Sequence, residues 1–192
     1  GVCCQKGDGY IKMFLDDREI LHITQQFEKK TLTINVGYNP TLKMTQRDFQ
    51  YLEAHNRRRT VFHQGYNTTY VPLIWSNALA DSSRVWAETS LVNCSVPGVK
   101  HDKANKFGEN LAKNTGGRHG WGQLYHPENI VGRWIDREVG LPYPANLHLT
   151  AALWRGSRYV GCGESVKNMG IYGKCRVQVC RYARTANCDI MR

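Results

Sequence analysis

Four cysteines, Cys162, Cys175, Cys180 and Cys188, fall within the last thirty-one residues of this 192-residue chain. Short strands lying side by side gain most from cross-links at such density, so this end of the chain is expected to form a stapled sheet. Cys3, Cys4 and Cys94 are dispersed, and the seven include no CxxC spacing. That pattern argues against a zinc ribbon and for disulfides made in an oxidising compartment. An odd total leaves one thiol free or bonded to another chain, and adjacent Cys3 and Cys4 are poorly placed to pair with each other. Two glycosylation triplets, Asn67-Thr68-Thr69 and Asn93-Cys94-Ser95, agree with secretion. The sequence holds no apolar run of about eighteen residues, so no membrane-spanning helix is expected. It opens at Gly1 without a methionine, as a trimmed mature protein or a fragment would.

With 41% hydrophobic residues the chain can build one real core. Twenty-six basic residues against sixteen acidic ones give a net charge of +10, unevenly placed. Residues 1–45 carry six basic and five acidic side chains; residues 46–192 carry twenty and eleven. A basic body of this kind is drawn to acidic lipid headgroups, acidic glycans or nucleic acid, or is simply kept soluble by its charge. Neither zinc-finger spacing nor an RNP-like run is present, which places nucleic acid last.

Residues 1–44 lack a helical period. Glu19–Thr24 and Lys30–Val36 lean to strand and Gly37–Pro40 reads as a turn, so this stretch is expected to be an extension, partly β or irregular. The main domain is expected over 45–192. Thr45 and Asp48 signal the start of a helix of about fifteen residues with Phe49, Leu52, Asn56 and Thr60 on its buried face. Ser76 or Asn77 caps a second, with Ala78, Leu79, Ser82, Val85, Trp86 and Thr89 in one stripe. Phe107–Lys113 reads as a short helical piece. Pro127 opens a third helix reaching about Val139. Thr150–Cys162 and Lys174–Tyr182 read as strands joined through a turn at Lys167–Gly170.

In the third helix, at about 100° per residue, Glu138 lies within the apolar arc of Ile130, Val131, Trp134 and Ile135, while Asp136 points to solvent. A carboxylate so placed needs a partner, a wet cleft or a proton. Glu109, in Phe107-Gly108-Glu109-Asn110-Leu111, is a second carboxylate, with His101 eight residues before it; His148 precedes an apolar stretch containing Trp154. If the fold gathers them, His101, Glu109, Glu138 and His148 offer two imidazoles for Zn²⁺ or another divalent cation and two acids to orient them.

These motifs resemble the CAP superfamily of cysteine-rich secretory proteins, antigen 5 and pathogenesis-related proteins (the SCP domain), over roughly residues 46–188. His55-Asn56 with Arg59 is similar to the first-helix motif. Cys94, His101 and Gly108-Glu109-Asn110-Leu111 are similar to the C…H…GENL run, and Trp134 with Glu138 to the tryptophan–glutamate helix. His148-Leu149-Thr150, Leu153-Trp154 and Val160-Gly161-Cys162-Gly163 resemble one signature; Cys180-Arg181-Tyr182 with Asn187 resembles another. The resemblance implies an α+β fold, a three-layer α-β-α sandwich with a central antiparallel sheet, disulfide-linked, and a cleft lined by His101, Glu109, Glu138 and His148. In some members that site holds Zn²⁺. His55 and Asn56 are read as structural.

The chain departs from the family where Leu147-His148-Leu149-Thr150-Ala151 replaces Gly-His-Tyr-Thr-Gln, where Glu138 stands four rather than three residues after Trp134, and where Arg181, Arg184 and Ala186 replace Asn, Pro and Gly. The one-residue shift keeps Asp136 open as a substitute ligand. The family cysteine ahead of His148 is absent, which leaves the partner of Cys94 open. The chain ends four residues after Cys188, without the added module of the channel-blocking members, so channel block is not expected. The resemblance implies a secreted, non-enzymatic protein that binds a lipid or sterol, an acidic glycan or a protein partner. Two alternatives stand beside it: a metal-assisted, protease-like hydrolase, for which Ser157 and Ser165 are available serines without an evident base, and a disulfide-tethered component of an extracellular assembly. Trp121 and Tyr125 are the expected wall of an apolar pocket.

Overall fold

The computed structural model describes the backbone of residues 11–15 and 18–23, and residues 44–116 and 123–183 in full. The chain divides into two compact units, residues 1–39 and 40–192. In the first, strand β1 (Ile11–Leu15) pairs antiparallel with β2 (Arg18–Ile23), with an irregularity between Met13 and Phe14. The strand expected at Glu19–Thr24 is β2 within a residue at each end; Lys30–Val36 and the Gly37–Pro40 turn lie outside the described residues.

In the second unit, helix α1 (Gln46–Gly65) starts where the sequence places it. Thr45 accepts from the Asp48 amide and the Asp48 carboxylate accepts from the Thr45 amide, closing a capping box at both ends. The helix runs twenty residues, and its buried face is not the one expected: Phe49 is exposed, whereas Tyr51, His55, Arg59 and His63 are buried. These four follow one another at spacing four and so share a face. The face is polar because the chain behind it leaves carbonyls to be met. Arg59, fully buried, donates to the carbonyls of Val71, Ala152, Trp154 and Ser157. Burial lowers its pKa to about 10, which leaves it cationic at neutral pH. Asn56 clamps the Leu73 backbone, donating to its carbonyl at 3.0 Å and accepting from its amide at 2.7 Å. That fixes α1 to the approach of strand β3 (Ile74–Trp75).

Helix α2 (Asn77–Thr89) is capped by Ser76, as expected, but buries Leu79, Ala80, Ser83 and Ala87, while Val85 is exposed. Its small residues let it lie directly on strand β5 (Tyr159–Asn168) at Gly161 and Gly163. A Cβ on Gly161 would stand 2.1 Å from the Ala80 nitrogen, and one on Gly163 2.2 Å from the Arg84 nitrogen. The Ser83 hydroxyl donates to the Gly161 carbonyl.

Residues 108–116 form strand β4 rather than a helical piece. They pair along their whole length with strand β6 (Lys174–Ala183), a contact about seventy residues away that local pattern does not reveal. The sheet order is β3-β5-β6-β4; β5–β6 is the expected hairpin, and only the two residues of β3 run parallel, so the sheet is mixed rather than wholly antiparallel. Helix α3 (Pro127–Ile135) stops four residues short of the expected end and tightens into a 3-10 turn over Asp136–Glu138. Leu147–Leu153 is helix α4, so the strand expected from Thr150 begins only at Tyr159.

Two cores sandwich the sheet. One gathers Tyr51, Ile130, Trp134, Ala152 and Tyr182 under α1, α3 and α4; the other gathers Ala87, Leu111, Val177 and Val179 under α2. Each holds one disulfide: Cys162–Cys180, between residues directly opposite in the β5–β6 register, in the first, and Cys94–Cys175 in the second. Cys3, Cys4 and Cys188 lie outside the described residues. Among the described residues no helix is long and apolar enough to cross a membrane.

Candidate functional site

Glu109 opens β4 directly across from Arg181 of β6, and its carboxylate is almost fully enclosed, with 3% of the side chain exposed. One oxygen accepts from His101 Nδ1 at 2.9 Å and from the Asp102 amide at 3.2 Å; the other accepts from Arg181 Nε at 3.1 Å. Arg181 also donates to the Asp102 carboxylate at 2.7 Å. His101 is 61% exposed, so its ring is steered by a buried acid while its far edge meets solvent.

Glu138, on the 3-10 turn after α3, forms the second pair. Its Oε1 lies 2.5 Å from His148 Nδ1, and Oε2 accepts from the Leu149 amide at 2.9 Å. The first amides of a helix lack partners inside it, and Asn146 offers α4 no side-chain cap, so Glu138 meets that need from eleven residues upstream. Asp136, the substitute ligand, is instead held by both its oxygens on Arg58.

A buried chain braces the two pairs. Asn110, on the opposite face of β4 from Glu109, donates to the His148 carbonyl at 3.0 Å and to the Tyr182 hydroxyl at 3.1 Å. His55 Nδ1 faces the Tyr51 carbonyl at 2.7 Å and must donate there, so Nε2 accepts from the Tyr182 hydroxyl at 2.9 Å. Burial lowers the His55 pKa to about 4, in keeping with a neutral ring. His55 and Asn56 are thus structural, as the sequence suggests.

The four side chains therefore meet as two His–Glu pairs. Each imidazole spends Nδ1 on a carboxylate and keeps Nε2, the arrangement that orients a metal-bound histidine. A cation also needs converging donors, and among the described residues no group of three or more His, Cys, Asp or Glu side chains is placed to hold one. Both oxygens of each glutamate are engaged, and Arg181 puts a permanent positive charge on Glu109. Of these four side chains, the two Nε2 atoms are what is left to offer a cation.

Beside Glu138 opens a pocket of about 670 Å³, which local pattern did not disclose. Phe62, His63 and Tyr66 from the end of α1, Val139–Pro142, Leu149 and Leu153 of α4, and Trp154 with Arg155 form its walls. Tyr66 is 76% exposed and Trp154 50%, so large apolar surface faces a solvent-reachable hollow. His63 adds no charge: Nε2 donates to the Leu153 carbonyl, Nδ1 accepts from the Val71 amide, and burial lowers its pKa. Leu149, where the family signature usually has tyrosine, supplies aliphatic wall. The spacing-four pair Leu149 and Leu153 is the available signal, obscured because the strand-like pattern begins at Thr150 between them. Tyr125 lines a different, ionic concavity under Arg133, and Trp121 lies outside the described residues.

The model of the cysteine-rich secretory protein family (CAP) matches residues 52–182. Pathogenesis-related protein 1B of Nicotiana tabacum is 26% identical over 164 residues, covering 81% of this chain and 84% of that protein. The crystal structure of MpPR-1i superposes with a TM-score of 0.54 at 20% identity, over 73% of this chain and 89% of the other. That of NaASP2 with Zn²⁺ gives 0.50 at 17% identity, over 78% and 85%. The matched span runs from α1 to the end of β6 and includes both His–Glu pairs, and the chain belongs to the cysteine-rich secretory protein (CAP) family.

Proposed function

We propose that this chain is an extracellular, non-enzymatic CAP protein that binds a lipid or sterol in the pocket between α1 and α4. The observation that carries the reading is the pocket itself: its volume falls in the range of small-molecule sites, its walls are mostly apolar, and few polar groups stand at its edge. Each methylene taken from water into such a wall contributes about 0.8 kcal/mol. Glu138 and Arg155 are the charged groups lining it, and since both Glu138 oxygens are engaged, Arg155 would meet the polar end of an amphipathic ligand. Two disulfides and membership of a secretory family support an extracellular setting.

The hydrolase alternative finds less support. His101 and His148 turn Nδ1 to glutamates as a base would, but Ser157 is fully buried and supplies no accessible nucleophile. Titration with a fluorescent long-chain fatty acid and a fluorescent sterol tests the proposal. Saturable one-to-one binding is expected, weakened at least tenfold by Leu149→Arg and unchanged by His101→Ala. Absence of binding by both probes, or a Leu149→Arg protein that binds as tightly, would contradict it.

A further inference from the structure

The β5–β6 hairpin ends in a turn that presents apolar side chains to solvent. Gly170–Tyr172 forms a 3-10 turn between glycines in positive φ, Gly170 at 66° and Gly173 at 84°. The Met169 amide donates to the Gly173 carbonyl at 2.7 Å, the Gly173 amide to the Gly170 carbonyl at 3.0 Å, and the Gly170 amide to the Asn168 side chain at 3.1 Å. Within this closed turn, Met169 packs inward on the core under α2, while Ile171 is 92% and Tyr172 71% exposed. At the base, Cys175 is tied to Cys94, so the apex stands on a fixed support.

The apex is flanked by positive charge. Lys167 and Lys174 are both exposed, and they lie on opposite faces of the hairpin, since Lys167 pairs with Cys175 and Lys174 with Asn168. No aspartate or glutamate occurs between Ser165 and Ala183. The acid just before that stretch, Glu164, is already held by Arg47 and Tyr51.

We infer that this apex docks on a negatively charged lipid surface, Ile171 and Tyr172 entering the headgroup boundary and Lys167 and Lys174 meeting the phosphates. A bilayer deforms around a small convex knob, tyrosine suits its interface, and lysine stems reach back to the headgroups. A specific protein contact buries about 800 Å² on each side, far more than two side chains on a turn present. The inference does not rest on the pocket, whose Leu153–Arg155 wall precedes β5 while the apex follows it, about 30 Å of strand away.

Vesicle flotation of the full chain tests it, comparing phosphatidylcholine alone with phosphatidylcholine containing about one third phosphatidylserine. Binding only to the anionic vesicles is expected, weakened about tenfold by Ile171→Ser with Tyr172→Ser. Lys167→Gln and Lys174→Gln should each cost about fivefold. All four positions are exposed, so melting temperature should not change, and the Leu149→Arg protein should float like the parent. Equal binding to both vesicle types, or lysine variants that fail while the apolar double variant binds normally, would overturn insertion. So would a concentration-dependent dimer, formed without vesicles and abolished by Ile171→Ser, since it would assign the apex to a second copy of the chain.

Discussion

Arg181 decides what Glu109 can do. The resembling signature usually has asparagine there; this chain places a guanidinium 3.1 Å from the carboxylate and anchors it on Asp102. A cation brought to His101 meets a like charge in that guanidinium, which opposes its binding. Arg181→Asn is therefore expected to raise affinity for Zn²⁺ at least tenfold by calorimetry; unchanged affinity would show that the arginine does not control the site. His55 sets a pH dependence. Its folded pKa of about 4 lies below its ordinary 6.5 because burial penalises the charged ring. The unfolded chain thus takes up a proton that the folded chain refuses as pH falls between these values. Stability present above pH 6.5 is lost progressively towards pH 4, on the order of 3 kcal/mol in all. Melting temperature should drop across that window, and the drop should be smaller in His55→Gln; a parallel drop would assign it to other groups.

At the scale of elements, the contact of α2 with β5 is the least forgiving. The Cβ of an alanine at Gly163 would meet helix backbone rather than the end of a flexible side chain. Gly163→Ala should cost about 3 kcal/mol or more in chemical denaturation, because helix and strand must part; a loss well below 1 kcal/mol would show that α2 rides more loosely. The elements also show what the sequence could disclose. The caps at Thr45–Asp48 and Ser76 are local chemistry and were legible, as were the β5–β6 hairpin and Asn56 as a clamp. Strand β4 was not, because its pairing with β6 is far away in sequence. The buried face of α1 was hidden for another reason: His55, Arg59 and His63 are held by backbone carbonyls, and Tyr51 enters the core with its hydroxyl on Glu164. The residues of the two His–Glu pairs could be named in advance, but their division into pairs depends on Arg181, Asp102 and the Leu149 amide. The pocket was not legible because the second half of α4, from Thr150, carries a strand-like pattern.

For the whole molecule, the disulfides set the scale of stability. Cys94–Cys175 closes a loop of 81 residues and Cys162–Cys180 one of 18. Chain entropy assigns about 4.5 kcal/mol to the longer and about 3 kcal/mol to the shorter. Replacing Cys94 and Cys175 by alanine should accordingly lower stability more than replacing Cys162 and Cys180; the reverse order would contradict that ledger. Arg59 and His63 tie α1 to α4 beside the pocket, and ligand binding there is the central claim. Calorimetric titration of the full chain with one long-chain fatty acid tests it most directly. One site per chain, with a heat signal lost in Leu149→Arg and kept in His101→Ala, is the predicted result. A titration without heat or saturation, or one in which Leu149→Arg behaves like the parent, would contradict it.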